Sequence, residues 1–341
     1  MGLRAFFMVL GVVVVALIGC SPKKPILHLY AGIDDVDPDL LSAFEKEYHC
    51  RLKPGTLPSE YGPSGNGTCD LAFLSSCRVA QMSQHDLLLE LDKTKLPNVA
   101  AQFDESYRRL TFNPGMTHSV PYAITFTGVA YRMDTVTSVP ASWAVFDNPA
   151  YKGHSSLLDN SRETIGAALK LLGFSLNTTN LNELAKARDV VLRWKKNIAN
   201  FEDAPYTTNL SSAGVSLAQR HNGAAVQRMS EVPGQIGFAF PDEGFPATCN
   251  EMVILRAARE PDLAHAFINF MYAPENAAKN IQYICTVMPN KGAVAQLPEA
   301  FRKNPVVIPP PAILNKAEAI RDLDENNVLY ANVWDAIKDS E

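Results

Sequence analysis

The sequence predicts an α/β protein of two lobes, each a mainly parallel sheet flanked by helices. Its first part reads strand, helix, strand, helix, with short apolar strands and amphipathic helices. The same order returns after residue 155. The full length of 341 residues also exceeds what one hydrophobic core usually serves.

Ile26 to Tyr30 (ILHLY) reads as a buried strand, followed by a loop from Ala31 to Val36. Asp37-Pro38 places a capping side chain before a proline suited to the first helical position. Leu40, Leu41, Phe44 and Tyr48 then recur at helical spacing. After a stretch rich in Gly, Pro and Ser, Asp70 to Leu74 (DLAFL) is a second buried strand running into Ser75-Ser76. Later, Ser155 to Leu158 leads into Asp159-Asn160-Ser161, which can cap a helix over Arg162 to Leu172 with Gly173 as its stop. Leu181 to Ile198 is a second amphipathic helix in this half. Gln235 to Phe240 and Met252 to Leu255 read as strands, and Asp262 to Met271 as a helix with Leu263, Phe267 and Phe270 on its apolar side. In sheets of this kind ligands bind beyond the carboxyl ends of the strands. That singles out the loops at Ala31 to Asp35, Leu74 to Arg78 and Asp159 to Glu163.

The first nineteen residues read as an export signal outside the fold. Arg4 supplies a positive start and Ala5 to Ile18 is an unbroken apolar run, shorter than the roughly twenty residues a membrane span needs. Leu17-Ile18-Gly19-Cys20 matches a bacterial lipobox, which predicts acylation of Cys20 as the new N-terminus. Residues 20 to 25 then form a short tether of polar and proline residues.

Composition narrows the function. With 31 Lys and Arg against 36 Asp and Glu, the net charge is −5, which argues against nucleic acid as a partner. There is no G-x-S-x-G elbow, H-E-x-x-H or phosphate-binding loop, so neither an enzyme nor a bound metal or cofactor is expected. Five cysteines remain besides Cys20. Export permits disulfides, but an odd number leaves at least one thiol outside any intramolecular pair.

Longer stretches resemble a known family. Leu29-Tyr30 followed by Pro38-x-Leu40-Leu41-x-x-Phe44-x-Lys46-Glu47, then Leu91-Asp92-Lys93-x-Lys95-Leu96-Pro97-Asn98 and Val120-Pro121-Tyr122, resemble the spermidine/putrescine-binding (PotD-like) receptors of ABC importers. Tyr151-Lys152-Gly153, Leu172-Gly173-Phe174-Ser175-x-Asn177-Thr178-Thr179, Asn222-Gly223, Pro241-x-Glu243-Gly244 and Pro289-Asn290 continue it in the same order. The resemblance implies the two-lobed, type II periplasmic-binding-protein fold, with the lobes joined by crossing strands near Tyr122 to Thr127 and Asn250 to Leu255. Lobe 1 would hold residues 26–124 and 250–341, and lobe 2 residues 125–249. It further implies a monomer that faces the periplasm or cell exterior and delivers a polyamine to an ABC permease and ATPase, with no cofactor.

The resemblance also nominates substrate-binding residues. In the first loop Asp34 stands where the family has Glu and Asp35 where it has Tyr, while Gly32 replaces a Trp. In the second loop Ser75 matches, and Cys77 and Arg78 replace two tyrosines. Asn160 replaces an Asp, Glu163 keeps a Glu, and His221 replaces a Trp. Thr248 and Asn250 replace a Trp and an Asp in the return strand, and Thr286 replaces a Tyr. Each lost cation–π contact is worth about 0.5–2 kcal/mol. The alternatives are therefore the same fold with a neutral or anionic solute, or a surface lipoprotein used for adhesion or sensing.

Overall fold

The structure, a computed structural model, describes residues 24–32, 35–57, 68–136, 141–202, 210 and 214–340. The predicted signal, the lipid site at Cys20 and the candidate Asp34 lie outside the described residues.

The strands are β1 (Ile26–Tyr30), β2 (Arg51–Pro54), β3 (Leu71–Ser75), β4 (Ser119–Arg132), β5 (Ser155–Leu158), β6 (Asn200–Glu202), β7 (Leu217–His221), β8 (Ile236–Ala239), β9 (Phe245–Ile254) and β10 (Ala317–Ala319). They run in the order β2-β1-β3-β9-β4-β7-β5-β6. β1, β2 and β3 are parallel, as are β5, β6 and β7. The two long strands break that pattern. β9 lies antiparallel between β3 and β4, and β4 is antiparallel to β7 and β8. Along β4, Ser119 to Phe126 pair with β9 while Thr127 to Tyr131 pair with β7. One strand thus passes from the first group of strands into the second. A bulge at Pro121 falls where proline has no N–H to give the ladder.

Two apolar cores flank this crossing. The first gathers Leu27, Phe44, Phe73 and Phe267 with the helices Pro38–Glu47 and Pro261–Met271. The second gathers Phe126, Trp143, Trp194 and Phe245 with the helices Ser161–Leu171 and Leu181–Lys195. The tail of the chain behaves differently from the rest of 250–341. Leu314, Ala317, Tyr330 and Ile337 are buried in the second core, not the first. β10 pairs in parallel with the start of β9, and the Tyr330 hydroxyl donates to the carbonyl of Leu176 (2.9 Å).

Local signals explain the helix starts. Asp37 accepts from the Asp39 amide at 2.8 Å. Asn160 accepts from the amides of Arg162 and Glu163 at 3.0 and 3.1 Å. Gly173, with φ +76°, takes the left-handed turn that ends its helix. The predicted strand Met252 to Leu255 is the apolar end of the longer β9. Polar Thr248, Asn250 and Glu251 hide the earlier part in the sequence. Among the described residues no helix is long and apolar enough to cross a membrane.

Candidate functional site

At the crossing of β4 and β9 lies a cavity of about 150 Å³, lined by Asp35, Tyr122, His221, Asn250, Tyr283 and Thr286 among others. Its walls come from loops at strand and helix ends. Asp35 sits after β1 in a turn in which its amide bonds the Gly32 carbonyl (3.3 Å) and its carboxylate accepts from the Gly32 amide. That turn is pinned from below. The Tyr122 hydroxyl donates to the Asp35 carbonyl, the Asn280 side-chain Nδ2 donates to the Tyr122 hydroxyl (2.5 Å), and the Asn280 Oδ1 accepts from the Asp37 amide (3.0 Å). Burial, with the nearby Asp35 charge, holds the Tyr122 hydroxyl well above its ordinary pKa, so it remains a donor.

On the other side His221 ends β7, with 31% of its side chain exposed. Its Nε2 lies 3.5 Å from Oε1 of Glu163, in the first turn of helix Ser161–Leu171. The Thr248 hydroxyl donates to the same oxygen at 3.3 Å. Glu163 is only 4% exposed, and its Oε2 has no hydrogen-bond partner among the described residues. A buried carboxylate oxygen without a donor is costly and calls for one.

Of the nominated residues, Asp35, His221, Asn250 and Thr286 share the cavity; Glu163 lies next to His221, and Thr248 in turn bonds Glu163. The Thr286 hydroxyl is committed to the Ile124 carbonyl (2.7 Å) and to Asn222. Three others stand apart from the cavity lining. Ser75 caps helix Ser76–Gln84 and Asn160 caps helix Ser161–Leu171. The Cys77 thiol faces the Ile320 carbonyl at 3.7 Å, and burial pushes its pKa up. All five described cysteines are free.

The sequence reading missed Tyr122 and Tyr283 as cavity walls, although both were visible as aromatics. Glu251, next to Asn250 in the chain, points to the opposite face of β9 and away from the cavity. Its carboxylate accepts from the Ser76 hydroxyl (2.6 Å), the Phe112 amide (2.7 Å) and the Ser119 hydroxyl.

The chain matches the bacterial extracellular solute-binding protein family over residues 60–308. It belongs to that family. This solute-binding protein is 28% identical over 331 residues to a putrescine/cadaverine-binding protein of Pseudomonas aeruginosa, covering 92% of this chain and 93% of that one. It is 27% identical over 320 residues to the spermidine/putrescine-binding periplasmic protein of Escherichia coli (strain K12), covering 92% and 91%. Among solved structures, a putative spermidine/putrescine ABC transporter protein from Listeria monocytogenes superposes with a TM-score of 0.82 at 29% identity, over 93% of this chain and 99% of that one. The PotD substrate-binding protein of Streptococcus pneumoniae gives 0.83 at 26%, over 93% and 98%. The solute-binding protein thus has the type II binding-protein fold and is not an enzyme.

Proposed function

We propose that this solute-binding protein takes up a polyamine of the putrescine and cadaverine class in the cavity at the β4 and β9 crossing. It would then deliver the polyamine to an ABC permease and ATPase. The observation that carries this is the bare Oε2 of the buried Glu163. An ammonium group brings three donors and a positive charge to such an oxygen. Asp35 offers a carboxylate on the cavity wall itself, Glu163 stands beside the wall residue His221, and Tyr122 and Tyr283 offer ring surface for the methylenes between two ammonium groups. An anionic solute would bring no donor to the bare Glu163 Oε2 and would face the Asp35 carboxylate, which disfavours that alternative. Relatives named for putrescine, cadaverine and spermidine support the same reading.

The remaining parts of the reading are a monomer of two closing lobes and a lipid on Cys20 that holds the exported protein at a membrane surface. Palmitate labelling of the full chain against Cys20→Ser tests the anchor. Calorimetry with putrescine, cadaverine and spermidine tests the ligand. Glu163→Gln, which keeps the shape and removes the charge, should weaken binding by about tenfold or more. Absence of heat with every polyamine at millimolar concentration would sink the proposal.

A further inference from the structure

We propose that His221 sets the pH range over which the cargo is held, because its proton and the ligand's ammonium compete for Glu163. This rests on the polyamine reading above and deepens it.

The backbone after His221 is fixed, so the imidazole has a defined place. The next side chain, Asn222, accepts from the Phe126 amide (2.9 Å) and donates to the Val306 carbonyl (2.8 Å), tying the end of β7 to both β4 and the first core. The imidazole itself lines the cavity; its buried Nε2 has no hydrogen-bond partner among the described residues and lies 3.5 Å from Oε1 of Glu163. In the neutral ring the carboxylate favours the proton on Nε2, which leaves Nδ1 as a hydrogen-bond acceptor. An ammonium in the cavity can be met by such an acceptor, with the negative charge of the neighbouring carboxylate behind it. When the ring takes a second proton, both nitrogens become donors. The imidazolium then neutralises Glu163 itself and repels the incoming cation.

The groups around His221 leave little else to play this part. Helix Ser161–Leu171 brings Glu163, with Arg162 beside it in the chain. The loop after β1 brings Asp35, and the end of helix Pro274–Ile284 brings the Tyr283 phenol. Across from it on β4 is uncharged Thr127, and β9 contributes uncharged Thr248 and Asn250. A tryptophan at this position offers a ring face whose attraction for a cation does not change with pH. Histidine changes its charge between about pH 5 and 8.

The test is calorimetry with putrescine and with cadaverine at steps from about pH 8 down to about pH 5.5, in two buffers of different ionisation enthalpy at each step. On the acid side affinity should fall by about tenfold per pH unit, with release of about one proton on binding. His221→Gln and His221→Trp should bind with nearly flat pH profiles and without proton release. A flat profile in the unaltered protein overturns the proposal. So does an unchanged slope in both variants, which would assign the protons to the carboxylates. Should both variants fail to fold, the NMR signal of the His221 ring decides in the unaltered protein. Saturating putrescine should move its titration to lower pH, and an unmoved titration counts against the proposal. No binding of either diamine at about pH 8 removes the polyamine reading and this inference together, an outcome distinct from binding that ignores pH.

Discussion

Glu163 and Glu251 are both buried carboxylates in or beside the crossing strands, at 4% and 0% exposure, and their surroundings divide their roles. Glu251 has three donors to satisfy it, whereas one oxygen of Glu163 is bare. Replacing Glu251 by Ala would strand two hydroxyls and the Phe112 amide in the interior. At about 1–3 kcal/mol for each unsatisfied group, the loss should reach at least about 3 kcal/mol, read from urea unfolding. Burial raises the pKa of Glu251 above the ordinary carboxylate value, with the hydrogen bonds from Ser119, Ser76 and Phe112 pulling the other way. The folded protein therefore binds this proton more tightly than the unfolded chain does. Its contribution to stability is complete below the ordinary carboxylate range and is lost as pH rises through the raised value. Glu251→Gln should abolish that part of the pH dependence in thermal melts run upward from the ordinary carboxylate range. None of this was legible in the sequence, because the partners of Glu251 lie 132 to 175 residues away.

Elements whose ends are fixed by their own residues were legible. Asp37, Asn160 and Gly173 each act within a few residues of themselves, and each starts or stops a helix as their chemistry predicts. β7 was not legible. Its sequence, Leu-Ala-Gln-Arg-His, looks like a surface segment, yet Gln219 and Arg220 are buried. Gln219 donates to the Glu163 carbonyl at 3.1 Å, and Arg220 pairs with Glu202 on β6. Burial lowers the Arg220 pKa to about 10, which still leaves it charged at neutral pH. The site suffered for the same reason, since His221 follows directly on this unread strand. Resemblance named it, but only the fold set it against Glu163. Asn160 is the converse case, a nominated ligand residue whose side-chain oxygen is occupied as a cap. Asn160→Ala should cost about 1 kcal/mol in thermal stability. Asn160→Asp, an equally good cap, should keep the stability. Polyamine affinity measured by calorimetry should change far less in either than in Glu163→Gln.

At the scale of the molecule, the two cores are joined by more than the crossing strands. Arg109 donates to the carbonyls of Leu314 and Ala317, Gln84 donates to Asp324, and Lys170 pairs with Glu318 at 2.8 Å. The stretch from Leu314 to Asp324 thus holds residues from both sides of the crossing. A ligand gripped by Asp35 on one side and Glu163 on the other should draw the halves together about this joint. Small-angle scattering should show a smaller radius of gyration with saturating putrescine, and Glu163→Gln should blunt the change. An unaltered scattering curve at full occupancy would count against closure. The α/β class and the repeated strand-helix order were plain in the sequence. The attachment of the tail to the second core was not, since it depends on where Tyr330 and Ile337 find cover.

The direction of β1 would decide how the receptor stood if it were held at Cys20. Chain enters β1 at Ile26 and leaves it at Tyr30, and the turn bearing Asp35 follows. Five residues of strand span about 17 Å, and the six steps from Cys20 to Ile26 reach at most about 20 Å. A lipid at Cys20 would therefore pull on the end of the first sheet at which β1 begins, while Asp35, on the cavity wall, follows the other end of that strand. Anchor and cavity would then stand at opposite ends of that strand, with the length of the leash setting how far the cavity could reach. Leash length would then govern the transfer, while the grip on the ligand would be indifferent to it.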